Sequence, residues 1–149
     1  MALVLIADDS PTDQHVLARA LENNGFETLI ARDGQEAIRL AGERSPDVIL
    51  MDIVMPGMNG YQATRRLAQD PATASIPILI ISTKTQEADR VWGLRQGAVQ
   101  YLTKPVSDVV LIARVRSLTR LKMMTDELRM RAITSLEIGM EAPERSAVA

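Results

Sequence analysis

The sequence predicts an α/β protein: a doubly wound parallel sheet of five strands, with helices on both faces and an extended C-terminal helix. Three observations predict it. Short β-branched runs alternate five times with helix-length amphipathic segments, the pattern of parallel strands joined by helical crossovers. Four of the five runs are apolar almost throughout, as strands buried on both faces are. No glycine or proline interrupts residues 106–138, so the last helix should outrun the domain it covers.

The first strand is expected at Leu3–Ala7. Ser10 and Pro11 then supply a capping hydroxyl and a proline for the first helical turn, which opens a helix over roughly 10–24; Gly25 follows as its terminator. The second strand, Glu27–Ala31, is more mixed and belongs nearer an edge. Asp33 and Gly34 open a helix over 34–44. The third strand is Val48–Met51, and Asn59 caps a helix over 59–69. Ile78–Ile81 is the fourth strand, followed by a helix over 86–96 that Gly97 closes. The fifth strand is Val99–Leu102, and the last helix begins near Ser107.

In that helix Leu111, Val115, Leu118, Leu121, Met124, Leu128 and Ala132 recur at three- and four-residue spacing. A helix of ~30 residues is ~45 Å long, more than a domain of this size can cover. The expected organisation is therefore a domain over 1–120, a projecting helix over 121–138 and a disordered tail over 139–149, which contains Pro143. A projecting apolar stripe needs a partner, and the same helix of a second chain suits it: a homodimer through a coiled coil.

Composition narrows the function. The 149 residues carry 17 basic and 19 acidic side chains, a net charge of −2, too weak a field to bind polyanions by charge alone. Cysteine is absent, which excludes disulfides, thiolate metal sites and a cysteine nucleophile, and fits a cytoplasmic setting. His15 is the single histidine, so no multi-histidine metal cage forms within one chain. No apolar run approaches the ~20 residues that span a bilayer, and the acidic turn after MALVLIA does not read as a signal peptide.

In a doubly wound sheet the loops leaving the carboxyl ends of the strands hold the site. Those ends carry Asp8 and Asp9, Asp52, Ser82 and Thr83, and Thr103, Lys104 and Pro105. Three carboxylates in one crevice repel one another and call for a cation. Oxygen-only ligands point to Mg²⁺, or Mn²⁺, rather than zinc. A dication, a lysine and hydroxyl donors together make a receptor for a phosphoryl group. With no thiol and no histidine to activate a hydroxyl, one carboxylate must be the nucleophile. Asp52, at the end of the middle strand and before the tight loop Met55–Gly60, is the best candidate. Taken singly, each of these residues has an ordinary structural role as a turn, cap or surface group; their joint placement at four strand ends is what points to chemistry.

The chain resembles the receiver domain of bacterial two-component response regulators, the CheY-like family. The features that carry the resemblance are the Asp8-Asp9 pair, Asp52 within VILMDIVMPGMNG, Ser82 at the end of ILIIS and Lys104 within YLTKP. The resemblance implies the flavodoxin-like strand order 2-1-3-4-5. It implies that Asp52 accepts a phosphoryl group from a histidine kinase or phosphotransfer protein. It implies Mg²⁺ held by Asp8, Asp9, Asp52 and the backbone carbonyl of Val54, with Asp8 assisting through water. Lys104 would pair with the phosphoryl oxygens, Ser82 would move to bond one of them, and Tyr101 would be the switching aromatic. Lys104-Pro105 would be a cis peptide bond. Residues 2–106 resemble the PilH-type regulators of twitching motility, and residues 107–140 the end of the first receiver of PleD-type diguanylate cyclases. The chain contains no GGDEF string, so its expected chemistry is limited to its own phosphoryl transfer and dephosphorylation.

Rival readings are a constitutive scaffold or dimerisation module, an aspartyl-phosphate phosphotransferase, and a DNA-binding protein. Enzymes of the second kind place a DxD pair after the first strand, where this chain has adjacent aspartates. Residues 114–131 hold six basic and two acidic side chains, a pattern that fits the solvated flank of a coiled coil better than a DNA-reading element, since no helix-turn-helix follows.

Overall fold

A computed structural model describes the backbone of residues 1–148 and the side chains of residues 1–139. The strands are β1 (Leu3–Ala7), β2 (Glu27–Ala31), β3 (Val48–Met51), β4 (Ile78–Ser82) and β5 (Gln100–Thr103); the helices are α1 (Pro11–Glu22), α2 (Gly34–Arg44), α3 (Gly60–Gln69), α4 (Glu87–Gln96) and α5 (Asp108–Val148). All pairings are parallel, in the order β2-β1-β3-β4-β5.

Alternation along the strands sorts the core into two layers. Leu5, Ala7, Ile49, Met51, Ile78 and Ile80 point to the face that α2 and α3 cover with Ala37, Ala41, Ala63 and Leu67. Val4, Ile6, Val48, Leu50, Leu79 and Ile81 point to the opposite face, against Leu17, Ala20 and Leu21 of α1 and Leu111, Ile112, Val115 and Leu118 of α5. Both faces of β1, β3 and β4 are thus buried, as their unbroken apolar sequences require.

β5 is a correction. Its sequence belongs with the runs expected to be buried on both faces, yet its residues are half-buried or exposed, because it is an edge strand with β4 as its one neighbour. It also begins one residue late: Gln100 pairs with Leu79 and Thr103 with Ser82, which carries β4 on to Ser82.

The caps form as the sequence implied. The Ser10 hydroxyl accepts from the Asp13 N–H, and the Asp33 carboxylate accepts from the Glu36 N–H. Asn59 and Gln62 make a reciprocal capping box at α3. Gly97 closes α4 with a φ of 120°, a conformation that side chains resist.

α5 runs without a break through residues 120–121, where the domain was expected to end. It descends from the carboxyl edge of the sheet. Leu111, Ile112, Val115, Leu118, Thr119 and Lys122 are buried, and from Glu127 to Gly139 every residue is exposed. Arg129 reaches back to the Ser75 hydroxyl at 3.0 Å, in the loop before β4, so the projecting part leaves the pole opposite the carboxyl ends of the strands. The expected tail over 139–149 lies outside the described side chains, save Gly139. No helix among the described residues is long and apolar enough to cross a membrane.

Candidate phosphoryl-transfer site

The carboxyl ends of β1, β3, β4 and β5 converge at one rim, as adjacent parallel strands must. Asp8 and Asp9 follow β1, and Asp52 follows β3, whose neighbour in register is β1; the Asp52 N–H bonds the Ala7 carbonyl at 2.9 Å. One carboxylate oxygen from each of Asp8, Asp9 and Asp52 lies within 4.8 Å of the others. Asp8 is buried, Asp52 half-buried and Asp9 exposed. That graded opening would leave a hard cation reachable from solvent while two of the carboxylates that could hold it stay fixed by the fold. An all-carboxylate set of this size suits Mg²⁺, which takes one or two carboxylates and keeps its waters.

Each buried carboxylate has a local anchor. The Ser10 N–H donates to Asp8 Oδ1 at 2.9 Å, and the Ile53 N–H donates to Asp52 Oδ1 at 2.8 Å. The Gln14 amide donates to the Asp8 carbonyl at 2.6 Å and ties the β1–α1 loop to α1. Lys104 follows the last residue of β5 and precedes Pro105, to which it is joined by a cis peptide bond. Its Nζ lies 2.9 Å from Asp8 Oδ2, 2.9 Å from Asp13 Oδ2 and 3.5 Å from Asp52 Oδ2.

The electrostatics follow from this packing. Burial raises the pKa of Asp52; the Lys104 charge opposes the rise and the Asp8 charge adds to it. Burial works against the Lys104 charge, but hydrogen bonds to Asp13 and Asp8 and the Asp52 charge outweigh it, so the ammonium is held above the ordinary lysine value. The site is therefore a fixed cation facing a half-buried carboxylate whose charged form burial disfavours.

Ser82, the last residue of β4, is fully buried, and its hydroxyl accepts from the Lys84 N–H at 3.2 Å. Tyr101 lies on β5 and its hydroxyl donates to the Lys84 carbonyl at 2.8 Å, so both expected switch residues grip the same segment after β4. Val54 lies two residues past Asp52 and its side chain is exposed. His15 sits on α1, away from this cluster.

Two residues of the site were missed in the sequence. Asp13 reads there as an acidic group in the first turn of a helix, a common stabiliser of that end; only the fold brings it to Lys104. Gly60 reads as a turn residue after Asn59. Its N–H bonds the Ile53 carbonyl at 2.8 Å, and a Cβ there would fall 1.9 Å from the Asp52 carbonyl oxygen. The backbone of α3 is pressed against the peptide that carries Asp52, an approach only glycine permits.

Residues 4–116 match the response regulator receiver domain family. The chain is 51% identical over 117 residues to the protein PilH of Pseudomonas aeruginosa, covering 78% of this chain and 97% of PilH. It is 42% identical over 141 residues to the response regulator PleD of Caulobacter vibrioides, covering 95% of this chain but 31% of PleD. One natural protein thus aligns with both the domain and most of the long helix. Among solved structures, the chemotaxis protein CheY4 of Vibrio cholerae superposes with a TM-score of 0.75 at 30% identity, over 79% of this chain and 98% of that one.

Proposed function

This chain belongs to the response regulator receiver domain family, and we propose that Asp52 is its phosphoryl acceptor, charged by a histidine kinase or phosphotransfer protein. The observation that carries this reading is the placement of one ammonium 3.5 Å from Asp52 beside a cluster of three carboxylates within 4.8 Å. An Asp52 carboxylate oxygen attacks phosphorus in line; the bond from phosphorus to the donor nitrogen breaks, and its electron pair stays on that imidazole nitrogen. Asp8, Asp9, Asp52 and the Val54 carbonyl would hold Mg²⁺, with Asp8 assisting through water, and the ion would supply charge neutralisation at the phosphoryl oxygens. Lys104 donates to one of those oxygens. Ser82 turns its hydroxyl to another, which releases the Lys84 N–H and loosens the segment that Tyr101 holds. α5 begins one short loop after Lys104, so the change reaches the base of the long helix.

The test is exposure to a small phosphodonor and Mg²⁺, read by intact mass. One phosphoryl group should appear on wild type and none on Asp52→Asn; a gain on both moves the acceptor elsewhere.

The projecting part of α5 is proposed to pair with the same helix of a second copy. Leu121, Met124 and Leu128 are 46%, 61% and 62% exposed along the stripe, and every described side chain from Glu127 to Gly139 is exposed. The basic residues here favour this over DNA: Lys122 pairs with Asp126, Arg131 with Glu127, Arg129 bonds Ser75 and Arg114 bonds Gln100. Sedimentation should show a dimer that Leu128→Glu converts to monomer. A wild type that stays monomeric with and without a phosphoryl mimic ends this part of the proposal.

A further inference from the structure

Lys104 divides its amine among three carboxylates, and one of them has no place in the cluster around Asp52. Asp8 and Asp52 are both members of that cluster; Asp13 is not. We propose that Asp13 is a positioning residue that holds Lys104 at rest and is exchanged for the phosphoryl group, so that it restrains the phosphorylation of Asp52. This rests on Asp52 being the acceptor.

The geometry identifies which partner Lys104 gives up. Its Nζ is 2.9 Å from both Asp8 and Asp13 but 3.5 Å from Asp52, so the two stronger contacts draw it away from the acceptor. A phosphoryl group on Asp52 brings new anionic oxygens that need an N–H from this amine. Asp8 is the less readily released of the two: its side chain is 2% exposed, so water cannot take the place of the lysine. Asp13 is the more readily released. Its side chain is 42% exposed, it sits on the first turn of α1, and water replaces the lysine at little cost. It also borders a cavity of about 270 Å³ lined by Val16, Leu17, Ile81, Pro105 and Val106, so the pair can part without repacking the core. While it stays, Asp13 competes for the amine and adds a negative charge near the path of an anionic donor.

The experiment measures phosphorylation rate with acetyl phosphate and Mg²⁺, followed by intact mass, together with melting temperature. Asp13→Asn should react roughly two- to fivefold faster than wild type, the upper part of the range expected for a half-exposed charge pair. Asp13→Glu, which restores an anion within reach of Lys104, should return to within about twofold of wild type. Asp108→Asn removes the same single charge from the exposed start of α5 and should leave the rate unchanged. An unchanged or slower Asp13→Asn overturns the proposal, as does an equal gain from Asp108→Asn, which would make the effect one of bulk charge. Failure of wild type to gain any phosphoryl group overturns the acceptor assignment itself.

Discussion

Replacing Gly60 by alanine tests how the acceptor loop is held. In a helix, glycine to alanine ordinarily stabilises by about 1 kcal/mol. Here the sign should reverse. The new Cβ would meet the Asp52 carbonyl oxygen at 1.9 Å and the Asp52 carbonyl carbon and Ile53 Cα at 2.8 Å, all backbone atoms that cannot rotate away. Relief needs a backbone shift of about 1 Å, because a Cβ does not approach an oxygen within about 3 Å. Overpacking of well-packed sites costs about 1–3 kcal/mol, and a clash with fixed backbone belongs at or above the upper end. At about 4 °C per kcal/mol for a domain of this size, the melting temperature of Gly60→Ala should fall by about 12 °C. The peptide that must move carries Asp52, and a 1 Å misplacement of a reacting group costs about 10²-fold in rate. The assays are calorimetry and the rate of phosphoryl uptake from a small donor. A variant that melts within about 2 °C of wild type and reacts at its rate would refute the claim that this close approach fixes the acceptor.

Three further outcomes follow from the same geometry. Lys104→Ala leaves Asp8, 1% exposed, beside two other carboxylates with no counter-charge; chemical denaturation should show a loss of about 3 kcal/mol, part of it recovered by Mg²⁺. Burial raises the Asp52 pKa on folding, so the folded chain holds that proton more tightly than the unfolded one. The favourable contribution is present below the ordinary value of 3.8 and is lost as pH rises through the folded value. Asp52→Asn should therefore be more stable than wild type at pH 7 without Mg²⁺, with the difference shrinking as pH falls toward 3.8 in a pH series of urea melts. Mg²⁺ at a hundred times its Kd should stabilise wild type by about 2.7 kcal/mol, and Asp9→Asn should lose most of that shift in a thermal titration.

Much of this architecture was legible in the chain because local chemistry marks it. Ser10, Asp33 and Asn59 declare helix starts by what their side chains can accept, and Gly97 declares a helix end by the φ it alone tolerates. The unbroken apolar runs at β1, β3 and β4 could lie only inside a two-sided sheet. β5 was misjudged for the same reason: an apolar run says that a strand is suited to burial, while its place at the edge depends on how many neighbours the topology supplies.

Asp8, Asp9, Asp52, Ser82 and Lys104 announce themselves because each ends or follows a strand, and parallel strands bring their carboxyl ends to one rim. That much is a property of sequence order alone. The contact of Lys104 with Asp13, 91 residues apart, and the pressing of Gly60 on the Asp52 carbonyl are not encoded in any local pattern. They depend on distances of a few ångströms between α1, β5 and α3, which are set when both layers of the core close on the sheet. The same closure decides that the long helix, whose extension past the domain the unbroken residues 106–138 implied, departs from the pole farthest from the chemistry, since α5 must run antiparallel to the strands to cover them.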